Sequence, residues 1–299
     1  MGIDVHQHMW TPGFSGALRG RAKPPFLSDW TLFLDGEAPY EVNPLDHDLG
    51  HRLAFNHDHG IDLALVSLSS PLGVEHLPPG EAWPLLDAYH EGALALPPSF
   101  RAWASTCVTE IDLGRTAEAL DGGFAGLQLP ATALLDAGGL ARVAPLLDLL
   151  QQRDLPLFVH PGPAAAAEGP AWWPALVPYV QQMHAAWYAF QAFGRPRHPR
   201  LRVCFALLAG LAPLHVERLI ARGGSARGVV DPDSFLETSS YGHQAIDAIT
   251  RVVGVEVVVL GSDAPYAAPA RTLLGEAIEQ QISLTNPSRL LDLEGAVHR

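Results

Sequence analysis

Along the chain, short runs of β-branched and apolar residues alternate with longer stretches whose apolar residues recur three and four apart. The runs are GIDV (2–5), IDLALVSL (61–68), RAWASTCV (101–108), GFAGLQL (123–129), LPLFVH (155–160), LRVCFALL (201–208), SFLETS (234–239) and VEVVVLG (255–261). Helical spacing marks DHDLGHRLAFNHDHG, EAWPLLDAYHEGALAL, GLARVAPLLDLLQQRD and APLHVERLIARGG, with Gly60, Gly210 and Gly223 as stops or turns. This alternation is the pattern of βα units around a parallel sheet. Several runs are apolar throughout, as strands buried on both faces are. Eight such strands predict an α/β fold, a (β/α)8 TIM barrel that takes residues 1–299 as a single domain. An open doubly wound sheet is the competing architecture, but no Gly-rich phosphate loop follows the first strand.

Two stretches are too long for plain connections. Residues of about 10–45 form a lid-like insertion after strand one and hold Trp10, Arg19, Arg21, Lys23, Trp30 and Tyr40. Within it, WTLFLDGEAPYEV reads as a hairpin around Asp35-Gly36. The second is PGPAAAAEGPAWW (161–173), whose AAAA at 164–167 is the one low-complexity patch. Both are expected to leave the C-terminal ends of strands, where barrel enzymes keep their chemistry.

Composition narrows the partners. The formal charge of −13, from 19 basic and 32 acidic residues, disfavours nucleic acid or an anionic membrane and leaves a small-molecule substrate. Two cysteines, Cys107 and Cys204, suit a reduced compartment better than a disulfide scaffold. No apolar run approaches a membrane span, and the start of the chain lacks the features of a signal peptide, so a cytoplasmic protein is expected. A homodimer is the assembly considered. Lys23 is the single lysine beside 18 arginines, which reads as a compositional bias.

Candidate chemistry lies at the strand ends. Positions i and i+2 of a strand share a face, so His6 and His8 in GIDVHQHMW both point to the barrel mouth. A second pair, His57 and His59, sits at the end of a predicted helix, where a two-residue step rotates roughly 200° and separates the rings. His160 closes the apolar run LPLFVH, and Asp263 follows VVVLGS, both where βα loops begin. Other histidines carry plainer readings: His184 as a packing residue within a helix, and His243 as a residue that opens one. Trp10, Trp172 and Trp173 could wall a cyclic substrate, and Arg19, Arg21 or Lys23 could receive its carboxylate; packing and surface charge explain them as well.

The order His-x-His on strand one, His on strand five and Asp on strand eight resembles the amidohydrolase superfamily. The stretches IDVHQHMW, PLFVHPG, FLETSSYG, VVVLGSDAPY and NPSRLLDL are similar, more narrowly, to the amidohydrolase-related group that includes aminocarboxymuconate-semialdehyde decarboxylase. The resemblance implies that His6, His8, His160 and Asp263 bind one divalent ion, zinc in the first instance and manganese in the second. Many superfamily members carry a small β-sandwich ahead of strand one; here the ligand motif starts at residue 6, so that domain is not expected. Superfamily members with two metals bridge them with a lysine on strand four; here Gln128 stands at the comparable place, so one ion is expected and Gln128 becomes a substrate-binding candidate. On strand six, where the family carries an acid/base histidine, VCFALLAG puts Leu207, and His215 in LAPLHVERL is the candidate to compensate as a catalytic residue.

These features place a metal-dependent hydrolase of an ester, lactone or amide first, with Asp263 taking the proton of a metal-activated water. A metal-dependent non-oxidative decarboxylase of a small unsaturated or aromatic acid is the alternative. A barrel that binds a small molecule without turnover is the third reading, motivated by Leu207.

Overall fold

The structure, a computed structural model, describes residues 2–35, 38–164, 169–170, 172–225, 231–270 and 272–293. Eight parallel strands alternate with helices: β1 (Ile3–His8), β5 (Leu63–Ser67), β6 (Phe100–Ala102), β7 (Leu127–Pro130), β8 (Leu157–His160), β9 (Val203–Phe205), β10 (Ser234–Glu237) and β11 (Val258–Val259). Three short antiparallel strands intervene after β1: β2 (Phe26–Ser28), β3 (Thr31–Phe33) and β4 (Tyr40–Glu41). The parallel strands pair as β1-β5-β6 and as β7-β8-β9-β10-β11. Single bridges, Ala104↔Leu127 and Gln7↔Ala264, join the two sets at both edges and close the ring. This is the TIM barrel that the alternation predicts.

The strands are short because their ends do other work. All residues of β1, β7, β8 and β10 are buried, as a parallel sheet covered by helices requires. Trp103 and Phe158 stack inside the barrel at 5.2 Å, and the Trp103 indole N–H donates to the Val5 carbonyl at 2.9 Å. They form a closed floor against which the His6 ring packs, 5.0 Å from Phe158.

Four differences from the expected elements have local causes. The strand expected over 201–208 stops at Phe205, and residues 207–211 form a left-handed turn with φ of 53°, 47°, 53°, 61° and 60°. Only Gly210 adopts that conformation freely, and the others cost roughly 1–2 kcal/mol each. A Cβ on Gly210 would sit 2.5 Å from the Val180 carbonyl, so the turn is packed tightly against the helix Pro178–Ala189. The helix expected over 212–224 consequently starts only at Val216 and runs Val216–Ala221. The strand expected over 255–261 shrinks to two residues, because the Asn286 side chain donates to the Val255 and Val258 carbonyls at 2.7 and 2.6 Å. The third strand likewise ends at Ala102, with Ala104 held by a lone bridge.

The insertion after β1 opens with α1 (Pro12–Arg19) and continues through β2, β3 and β4, with Thr31↔Glu41 and Leu32↔Tyr40 in register. The expected hairpin is therefore bracketed, while its turn at 36–37 lies outside the described residues, as do residues 165–167 of the AAAA patch. Helix α2 (Leu49–Asp58) follows, its N-terminus capped by Asp48, which accepts the His51 N–H at 2.8 Å. Among the described residues no helix is long and apolar enough to cross a membrane.

Candidate metal centre

His6 and His8 leave β1 on one face, His160 ends β8, and Asp263 follows four residues after β11. One ligand atom from each lies within 4.8 Å of every other. The three imidazole centroids are 4.9, 4.9 and 5.0 Å apart, with planes crossing at 82–89°. His6 Nε2 lies 3.0 Å from His8 Nε2, and Asp263 Oδ1 lies 3.1 Å from His8 Nε2 and 3.5 Å from His6 Nε2. Lone pairs crowded this closely, with no proton to share among them all, want a cation.

Each ring is oriented by a partner at its far nitrogen. His8 Nδ1–H donates to the Ser67 carbonyl at 3.0 Å, and His160 Nδ1–H donates to the Pro161 carbonyl at 2.8 Å. A carbonyl only accepts, so both rings carry the proton on Nδ1 and aim a lone pair from Nε2. His6 Nδ1 faces Glu237 Oε1 at 3.1 Å. Burial disfavours the imidazolium at all three. At His8 and His160 it prevails and lowers the pKa, whereas at His6 the Glu237 and Asp263 carboxylates outweigh it and the shift is upward. Three imidazole nitrogens and a carboxylate oxygen, with far-side partners in place, suit zinc, manganese or another divalent ion of this class. The residues present fit one metal ion.

The cluster has one open side. His6, His8 and His160 are 0–5% exposed, whereas the Asp263 side chain is 18% exposed. Asp263 also takes φ of 63°, a strained position for a non-glycine residue, held by its N–H to the His6 carbonyl at 2.8 Å. Tyr266 lies beside it, half-exposed, with its ring 5.6 Å from that of His8.

The control pair behaves as helix geometry predicts: the His57 side chain is 89% exposed beside Asp58, and His59 turns back onto the Phe55 carbonyl. The remaining site candidates divide. Gln128 is fully buried, its Nε2 donating to the Leu68 carbonyl and Ser70 Oγ at 2.8 and 2.6 Å, while its Oε1 has no partner. Trp10 is buried, stacked on His47 at 4.6 Å, and its Nε1–H donates to Ser69 Oγ. Arg19 stacks over Trp30 at 4.7 Å and donates to the Asp29 carbonyl at the surface. Trp172 is exposed, tilted against Trp173. His215 is exposed and meets the His184 ring at 5.1 Å, so the idea that it fills in beside Leu207 finds no contact in its favour.

Three residues escaped the sequence reading. Glu237 ends β10 after an apolar run, the same signal that marks His160. Glu75 is a fully buried carboxyl bonded by Ser70, Ser105 and Gln128. Arg52 is a buried cation on an otherwise ordinary helix.

Comparison with known proteins finds no matching family model and no matching curated protein. Solved structures do match. An IDCase from Metarhizium anisopliae superposes with a TM-score of 0.80 at 17% identity, covering 98% of this chain and 97% of that one. A 5-carboxyvanillate decarboxylase variant from Novosphingobium aromaticivorans, with bound manganese and 3-methoxy-4-hydroxy-5-nitrobenzoic acid, gives 0.78 at 18% identity, covering 98% and 97%. A protein described as amidohydrolase II gives 0.70 at 17% identity, covering 98% and 100%. Matching structures named for a specific reaction include 2,6-dihydroxybenzoate and 5-carboxyvanillate decarboxylases. That finding overturns the order of the sequence expectations, in which hydrolysis stood first. At this identity what is shared is the fold, a (β/α)8 barrel over nearly the whole chain.

Proposed function

We propose that this chain is a metal-dependent non-oxidative decarboxylase of a small aromatic or unsaturated carboxylic acid. The observation that carries the reading is the buried His6–His8–His160–Asp263 cluster at the mouth of a barrel whose full-length structural neighbours include several decarboxylases. His6, His8, His160 and Asp263 would hold the ion, and manganese, bound in one of those neighbours, is the first ion to load. When bound, the ion supplies a positive anchor that polarises the substrate oxygens.

The chain's own residues do the rest. Asp263 is the most exposed of the four ligands, its side chain 18% accessible, so it is the one that would face the substrate and carry the proton. Asp263 takes the proton of a substrate hydroxyl and returns it to the carbon that bears the carboxylate; the carbon–carbon bond then breaks, carbon dioxide leaves, and the hydroxyl oxygen keeps the negative charge. Leu207 contributes no proton and presents an apolar side chain. Manganese-loaded protein should release carbon dioxide from one or more hydroxylated aromatic acids, and Asp263→Asn should lose that activity while remaining folded. Turnover of esters or lactones with no carbon dioxide from any acid would overturn the proposal.

A further inference from the structure

The ligands of the cluster come from two sides of a seam. His6 and His8 belong to β1, whereas Asp263 lies four residues beyond the end of β11, where pairing with β10 has ceased. Three backbone hydrogen bonds cross the seam: Val5 N–H to the Leu260 carbonyl at 2.9 Å, Asp263 N–H to His6 at 2.8 Å and His8 N–H to Ala264 at 2.7 Å.

Beneath this seam sits Arg52, from α2, only 2% exposed. Its guanidinium donates to the His8 carbonyl on one side and to the Ala264 carbonyl on the other, both at 3.3 Å. Those carbonyls belong to a metal ligand and to the neighbour of another. Arg52 Nη2–H also donates to Gln7 Oε1 at 2.5 Å, and Gln7 Nε2–H donates to Asp4 Oδ2 at 2.8 Å. Asp4 Oδ1 in turn accepts the His6 and Ser262 N–H groups at 3.0 Å each, again one from each side. A buried arginine and a buried aspartate, linked by one amide, thus cross-brace the seam at two levels. A buried cation of this kind is expensive compared with an apolar side chain of equal volume, so a purely packing role would not require it.

We infer that Arg52 is a positioning residue for the metal centre, acting through Gln7 and Asp4 to hold Asp263 against His6 and His8 at ligating distance. The planar fork of arginine reaches both carbonyls at once, which the single ammonium of lysine cannot do. The inference rests on the four residues holding a divalent ion, and its test separates the two claims. Wild type, Arg52→Lys and Arg52→Met are titrated with cobalt and manganese in the absence of substrate. The readouts are the dissociation constant, the visible absorption spectrum of bound cobalt, and far-ultraviolet circular dichroism for the fold. Weakening of about tenfold or more is expected in both variants, smaller for lysine, with an altered cobalt spectrum and an unchanged fold. A folded Arg52→Met with affinity within twofold of wild type and the same cobalt spectrum overturns the inference alone. Should Arg52→Met not fold, an Arg52→Lys variant with wild-type affinity and spectrum overturns it instead. Wild-type protein that takes up neither ion overturns the metal reading and this inference with it.

Discussion

His6 Nδ1 and Glu237 Oε1 stand 3.1 Å apart, both fully buried, and that one carboxylate oxygen also accepts the Leu207 N–H at 2.8 Å and the Ser239 hydroxyl at 2.5 Å. Glu237 thereby ties a metal ligand to the left-handed turn after β9. Three donors converging on one oxygen hold the carboxylate in place, and the carboxylate holds the ring.

Glu237→Gln should therefore weaken ion binding by about 10- to 100-fold, because the amide keeps some hydrogen bonds but removes the charge that aligns His6. Competition with a metal chelator measures it. Wild-type affinity in the folded variant would mean that His6 is oriented by something other than Glu237.

Gly261 is the neighbour that makes room for this carboxylate. A Cβ there would fall 1.9 Å from Glu237 Oε2 and 3.1 Å from the His6 Cβ. Gly261→Ala should displace Glu237, cost about 1–3 kcal/mol of stability by overpacking, and weaken ion binding alongside Glu237→Gln. Thermal unfolding and the chelator assay on the same preparation would show both effects. An unchanged affinity would separate the glycine from the metal site.

The legible and illegible parts of the site differ in kind. His6, His8, His160 and Asp263 could be read because each follows an apolar run, and because strand alternation puts two histidines on one face. Glu237 carries the same mark, in SFLETS, but a lone carboxylate at a strand end has no second residue beside it to single it out, and only the fold brings it to His6. Arg52 left no comparable sign: its helix is amphipathic in the ordinary way, and only the seam between β1 and the segment after β11 makes that position interior. The left-handed turn was hidden for a third reason. Leu207 and Leu208 are apolar, so LRVCFALL looks like a continuous strand, and the chain turns because a buried carboxylate and a tight contact with the helix Pro178–Ala189 outweigh local preference.

His90 should make the protein sensitive to mild acid. Its Nε2 accepts the Ser105 N–H at 3.0 Å, which needs a neutral ring, and burial pushes its pKa down to about 4. The folded value lies below the unfolded one, so the unfolded chain binds more protons between them. The stability held above about pH 6.5 is lost as the pH falls towards 4, by up to roughly 3 kcal/mol. His90→Gln should flatten the dependence of thermal unfolding on pH across this window. A variant with the same slope as wild type would assign the acid lability elsewhere.

Glu75 should act with the opposite sign. Its carboxyl is fully buried, and its named partners, Ser70, Ser105 and Gln128, include no cation. Glu75 Oε2 and Gln128 Oε1 both lack a partner. Burial raises the pKa of this carboxyl, the surrounding hydrogen bonds offsetting it only in part. The folded value therefore lies above the unfolded one, and the unfolded chain releases its proton first as the pH rises. Below the unfolded value Glu75 costs nothing by ionisation; above it the cost grows until the folded value is passed. Glu75→Gln is neutral throughout, and its amide can still hydrogen-bond to Ser70 and Ser105. The variant should gain thermal stability relative to wild type as the pH is raised from about 4 to about 8. Unfolding temperatures of both proteins, measured without added metal across that range, decide the matter. A difference that does not change with pH would mean that Glu75 ionises in the folded protein as readily as in the unfolded one, and that a cation or solvent reaches it.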